Sequence, residues 1–155
     1  MSLTIFYVVD SNHQDLQPIY IDSFVLDDLD GQPLDILDLH NQEPLIINCW
    51  ATWCAPCRIE MPLLNNYYLT RNSDQANILG IAIDDIDQVN NFIAELGINF
   101  PVLVGQSEAY ELMQTLGNTI LTLPYTILVN SEGRIIWSKS TEIKREDLEQ
   151  IQQLK

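Results

Sequence analysis

Leu45-Ile46-Ile47-Asn48-Cys49-Trp50-Ala51-Thr52-Trp53-Cys54-Ala55-Pro56-Cys57-Arg58 joins an apolar run to two cysteines separated by two residues. The run follows Pro44 and is almost unbroken, as expected of a central strand covered on both faces in a parallel sheet. After the pair, Met61, Leu64 and Tyr68 recur at helical spacing, which predicts a helix from Cys57 to about Thr70 with the cysteine motif at its N-terminus. Pro62 removes one backbone donor inside that helix and is expected to kink it. The cysteines therefore fall at the C-terminal edge of a strand, where open α/β sheets place their sites and where the next helix presents unpaired N–H groups.

Working outward, Ile19 to Leu26 has the β-branched and aromatic content of a strand. The turn formers of Asp27-Asp28-Leu29-Asp30-Gly31-Gln32-Pro33 then suggest a hairpin returning through Leu34 to Leu39. Strands are expected at Asn77 to Ile83, Phe100 to Val104, Tyr125 to Val129 and Arg134 to Lys139, the last two joined by the turn Asn130-Ser131-Glu132-Gly133. Helices are expected at Asp85 to Leu96, stopped by Gly97, at Ser107 to Leu116, closed by Gly117, and at Lys144 to Leu154 with Leu148 and Ile151 inward. This order describes an α/β sandwich around a mixed sheet.

The chain of 155 residues, 46% hydrophobic, has the size and apolar content of one domain with its own core. Its 22 acidic side chains against 7 Lys and Arg give a net charge of -15, which disfavours nucleic acid and anionic membrane surfaces as partners. No stretch is long and apolar enough to span a bilayer, and the N-terminus lacks the basic region and cleavage site of a signal peptide. Leu3-Thr4-Ile5-Phe6-Tyr7-Val8-Val9 reads as an edge strand, a core-packing tail, or the remnant of an anchor or signal.

Three readings of the cysteine pair are open. A thiolate at a helix N-terminus is stabilised by the macrodipole and free amides, so Cys54 is the candidate nucleophile. Cys57, one turn further and inward, would attack the resulting mixed disulfide. Pro56 fits the first helical turn, where its missing N–H is no loss, and Ala55 leaves room for a substrate backbone. A zinc clip is the second reading, but it needs two more ligands, and the chain offers only His13, His40 and Cys49 without a second cysteine pair. An inert disulfide is the third; a loop this short makes it a poor staple. Cys49 shares a strand face with Leu45 and Ile47, opposite Asn48 and Trp50, and reads as a small buried hydrophobe before a third redox sulfur. Trp50 and Trp53 read as packing and shaping residues. Arg58 reads either as a source of positive potential or as a solvated helix residue.

The segment from Asn48 to Pro62, with Leu123-Pro124-Tyr125-Thr126-Ile127-Leu128 and Glu132-Gly133 further on, resembles the signature of the thioredoxin superfamily, in its TlpA/ResA/DsbE-like branch. The resemblance extends over most of the chain and implies a thioredoxin-like fold with an N-terminal hairpin extension and a central insertion. It divides the chain into a tail or tether remnant, residues 1–18, and a thioredoxin-like domain, residues 19–155. It implies a thiol-disulfide oxidoreductase, working as a reductant of protein disulfides, with no cofactor or metal beyond the Cys54–Cys57 couple. It further implies a cis Leu123–Pro124 bond beside the cysteines, with Trp53, Ala55, Pro56, Leu123 and Pro124 contacting substrate. Glu60 matches a glutamate thought to move protons for the cysteines, against which stands a solvated surface carboxylate. Where thioredoxin has a buried aspartate this chain has Asn48, which takes up no proton, so Glu60 or water must replace it. A periplasmic or otherwise extracytoplasmic bacterial setting is implied as well. So are protein thiol clients that include apocytochrome c, a membrane or soluble thiol reductase as electron donor, and a monomer. Two alternatives remain: a peroxiredoxin-like peroxidase, although Trp50 to Trp53 supply no proline at the place its motif needs, and a thioredoxin-fold metal-binding or interaction module.

Overall fold

The computed structural model describes residues 17–154. In chain order the elements are β1 (Val25–Asp28), β2 (Pro33–Asp35), α1 (Ile36–His40), β3 (Leu45–Trp50), α2 (Ala55–Thr70) and β4 (Asn77–Ile83). They continue with α3 (Ile86–Leu96), β5 (Val102–Gly105), α4 (Ser107–Thr115), β6 (Tyr125–Val129), β7 (Ile135–Lys139) and α5 (Arg145–Gln153). All seven strands join one sheet in the order β2-β1-β5-β4-β3-β6-β7. Strand β4 runs parallel to β3 and to β5, while β6 is antiparallel to β3 and β7 to β6, so the sheet is mixed.

Strand β3 sits at the centre, and every one of its residues is buried. Its pleat sends alternate side chains into two separate cores. Ile46 and Trp50 join Met61 and Leu64 of α2, Phe92 of α3 and Leu148 of α5. Leu45, Ile47 and Cys49 face the other way, with Ile36 of α1 and Leu112 and Met113 of α4. Helices thus cover both faces, three on the side of the cysteine pair and two on the other, and the expected mixed sheet flanked by helices is what forms.

The N-terminal part departs from expectation. Ile19 to Leu26 is not one strand: Tyr20 makes a single antiparallel bridge to Arg134, and only from Val25 does β1 begin. Nor does Leu34 to Leu39 return as a strand. Asp35 ends β2 and caps α1, its Oδ1 accepting the Leu37 N–H at 2.9 Å, and that cap converts Ile36–His40 into a helical turn. The hairpin itself forms around the Asp27–Pro33 pairing and adds to the sheet edge through Asp27 and Asp28 opposite Val104 and Leu103. Strand β5 starts at Val102 rather than Phe100, because Pro101 offers no N–H to the ladder. Helix α2 continues through Pro62 to Thr70 without ending. The tail reading for residues 1–18 falls almost wholly outside the described residues, as does His13.

Gly80, opposite Asn48 in the β3–β4 register, marks a close approach. A Cβ there would lie 3.0 Å from both Phe100 Cε2 and Trp50 Nε1 and 3.2 Å from Val102 Cγ2. Gly80→Ala is expected to cost roughly 1–3 kcal/mol through overpacking, seen as a lower urea midpoint at unchanged m; an unchanged midpoint would show that the three side chains yield freely.

Candidate active site

Strand β3 ends at Trp50, which is fully buried and packs on Phe92 with ring centroids 4.9 Å apart. The chain then turns, the Cys54 N–H bonding to Ala51 O at 3.2 Å. Asp84, just past β4, holds the turn: its Oδ2 accepts the Thr52 N–H at 3.1 Å and the Thr52 hydroxyl as well. Cys54 is the N-cap of α2, in extended conformation, and its Sγ accepts the Cys57 N–H at 3.3 Å. Pro56 occupies the first turn, as anticipated from its missing donor.

Cys54 and Cys57 are joined in a disulfide. The two cysteines differ little in burial: Cys57 is wholly buried and Cys54 is 6% exposed, so the residue expected to be exposed is itself buried. Its chain neighbours are open, with Trp53 66% exposed and Ala55 and Pro56 exposed too. The Leu123–Pro124 bond is cis. Because Cys49 faces Tyr125 across the β3–β6 ladder, the residues just before Tyr125 lie at the same sheet edge as the turn leading to Cys54.

Glu60 is not a surface carboxylate. It lies one turn after Cys57 on the inward side of α2, only 1% exposed. Its Oε1 accepts from Asn48 Nδ2 and its Oε2 from the Ile143 backbone N–H, both at 2.7 Å. Burial pushes its pKa up to about 7. The two hydrogen bonds oppose that shift, as does Lys139, and Glu142 adds to it. The alternative of a solvated helix carboxylate is therefore overturned: Glu60 is a buried carboxyl three residues after the buried Cys57.

The remaining candidates are placed elsewhere. Arg58 spends its charge on Glu95 at 3.2 Å and lies over the Phe92 ring, 4.7 Å from its centroid. Both partners are largely exposed, so the ion pair contributes under about 1 kcal/mol. Cys49 belongs to the core across the sheet from the disulfide, where burial raises its pKa to about 12. His40 bonds the Asn130 carbonyl oxygen through Nε2 at 2.8 Å. Neither joins Cys54 and Cys57, so among the described residues no further candidate zinc ligand is gathered there; His13 lies outside them. Thr126, Ile143 and Asp84 were not legible as site residues. The first two reach Glu60 and Asn48 only through strand pairing and a distant loop. Asp84 carried one usable signal, an acidic residue at the end of the strand next to β3.

A helix-capping cysteine pair, a cis proline at the same sheet edge and a mixed sheet between helical layers define a thioredoxin-like protein-disulfide oxidoreductase. Residues 20–138 match the AhpC/TSA family, and the chain belongs to it. A thiol-disulfide oxidoreductase ResA of Bacillus thuringiensis is 30% identical over 129 residues, covering 83% of this chain and 72% of the relative. Among solved structures, a thioredoxin-related protein from Neisseria meningitidis serogroup B is similar at a TM-score of 0.74 and 29% identity, over 83% of this chain and 96% of that one. A thiol:disulfide interchange protein from Chlorobium tepidum shares the fold at a TM-score of 0.75 and 24% identity, over 88% and 95%.

Proposed function

We propose that the pair works reductively, with Cys54 as the attacking sulfur, Cys57 as the resolving one and Glu60 as the group that takes the Cys57 proton. The observation that carries this division is the placing of the two cysteines, Cys54 at the N-cap between exposed neighbours and Cys57 wholly buried inside α2, with a buried carboxyl one turn further on. In the reduced chain, Cys54 as thiolate attacks one sulfur of a client disulfide. A Cys54–client disulfide forms, the client S–S bond breaks, and the other client sulfur leaves as thiolate. Cys57 then loses its proton to the Glu60 carboxylate and attacks Cys54 Sγ, closing the Cys54–Cys57 disulfide and expelling the second client thiolate. The client gains two electrons, the pair loses two, and the proton on Glu60 passes on to solvent.

Trp53, Ala55 and Pro56, all exposed, and the half-buried Leu123 form the surface an extended client segment meets, with main-chain pairing at Leu123, which the buried Pro124 follows. This reading assigns the redox domain to residues 19–155, an extracytoplasmic bacterial location, protein clients such as apocytochrome c, a thiol reductase as electron donor and a monomeric state. The names of the relatives, thiol-disulfide oxidoreductase and thiol:disulfide interchange protein, support the chemistry. Among the described residues no helix is long and apolar enough to cross a membrane.

The direction is tested by mixing the reduced chain anaerobically with insulin. Stoichiometric loss of insulin disulfides, with appearance of the Cys54–Cys57 disulfide, is expected; an oxidised chain that instead closes reduced insulin chains reverses the assignment.

A further inference from the structure

Asn48 is completely buried, and its Nδ2 donates to two oxygens at once, Glu60 Oε1 at 2.7 Å and Thr126 Oγ1 at 2.9 Å. Its Oδ1 is buried with no hydrogen-bond partner. An orphaned buried polar atom is costly, and this one belongs to the side chain that touches the Glu60 carboxyl.

The arrangement suits Glu60 only as a carboxylate, which accepts and never donates. When Glu60 is protonated, the Ile143 N–H is fixed in the backbone and stays on Oε2, so the acid hydrogen belongs on Oε1. There it meets the Asn48 NH2, donor against donor. A half-turn of the amide exchanges its two ends, which have the same shape. Oδ1 then occupies the place of Nδ2, with 2.7 and 2.9 Å to the same two oxygens, both suited to O–H···O bonds. In that orientation Oδ1 accepts from the Glu60 O–H and from the Thr126 hydroxyl, and the unpaired end becomes the NH2.

We propose that Asn48 is a positioning residue whose amide turns with the charge on Glu60, N–H toward the carboxylate and C=O toward the acid, the Thr126 hydroxyl switching from acceptor to donor. This rests on the reading of Glu60 as the acceptor of the Cys57 proton. Each orientation leaves one end of the amide unpaired, so neither locks the network, and the charged and neutral acid are held close in energy as a proton carrier requires. The other groups bearing on Glu60 cannot turn in this way. Cys57 precedes it on α2 and Glu142 lies in the loop before α5. Lys139 of β7 is held by Asp147 of α5 at 2.6 Å.

The test follows the Asn48 side-chain 15N–1H2 resonances and the Glu60 carboxyl 13C resonance of the intact oxidised chain between pH 5 and 9. The Asn48 resonances are expected to move with the Glu60 midpoint, and to stop moving in Glu60→Gln. Asn48 resonances that stay still while Glu60 titrates overturn the proposal and leave the role of Glu60 standing. Asn48→Asp keeps the shape but puts a second carboxyl against Glu60, and the midpoint of the Glu60 carboxyl 13C titration should rise by roughly one pH unit. A profile superimposable on the parent overturns the proposal too. If Glu60→Gln leaves the pH titration of the Cys57 13Cβ resonance in the reduced chain unchanged while the Asn48 resonances of the parent still follow Glu60, the amide switch stands and the proton-acceptor role of Glu60 falls.

Discussion

Cys54→Ser is expected to reduce insulin turnover to the uncatalysed background, while Cys57→Ser accumulates a covalent client adduct on Cys54. The asymmetry follows from position. Cys54 caps α2, its sulfur accepts a backbone N–H, and of the two residues it alone keeps any exposure, 6% against none for Cys57. A client sulfur can reach it but not Cys57. Without Cys57 the mixed disulfide has no internal attacker and persists until an external thiol removes it. Loss of fold is a weak competing explanation, because cysteines three positions apart close a loop so short that the bridge is worth only about 2 kcal/mol in chain entropy. Intact-protein mass spectrometry after incubation with a disulfide-containing peptide reads both variants at once. An adduct on Cys57 in the Cys54→Ser chain, or full activity in that chain, would exchange the two roles.

Glu60→Gln should flatten the pH dependence of stability. Burial raises the folded pKa of Glu60 from an ordinary 4.5 to about 7, so the folded state holds this proton more tightly than the unfolded chain. For a raised pKa, the stability linked to the group is fully present below about pH 4.5 and is lost as pH rises through about 7. A gap of that size corresponds to about 3 kcal/mol, all of it gone by about pH 8. Glutamine occupies the same space and does not titrate, so the difference between the two unfolding free energies should change by about 2.5 kcal/mol between pH 5 and pH 8. Parallel stability curves would remove Glu60 from the set of groups titrating near neutrality. The same variant should lose the limb near pH 7 in the titration of the Cys57 13Cβ resonance of the reduced chain, because the buried carboxyl three residues along α2 no longer takes up a proton.

The centre of the fold was readable because its signals are local. The unbroken apolar run of β3, the proline in the first turn of α2 and the helical spacing of Met61 and Leu64 all sit within one short segment. The apolar runs of β4 and β6 mark their strands at the boundaries the structure has. The N-terminus was misjudged where one residue decides between two conformations: Ile36 to Leu39 were counted among strand residues, although Asp35, the last residue of β2, caps a helix there with its side chain. The cysteine motif carried its own chemistry, but the status of Glu60 did not lie in its surroundings along the chain. Its partners are Asn48, 12 positions before it, and Ile143, 83 positions after it, and only the folded sheet brings them together. Asn48 was legible as a missing proton acceptor, whereas its contact with Thr126 required the antiparallel register of β3 and β6.

The pleat of β3 divides the sulfur of this protein into two compartments. Cys49 lies on one side of the sheet, Cys54 and Cys57 on the other, and Cys49 meets neither the pair nor solvent. A chain with three cysteines therefore behaves, while folded, as one with two: the couple has a single pairing, and mispaired isomers are closed to it by a wall of backbone. Fidelity of the redox cycle is in this sense a property of strand alternation, set before any thiol chemistry begins.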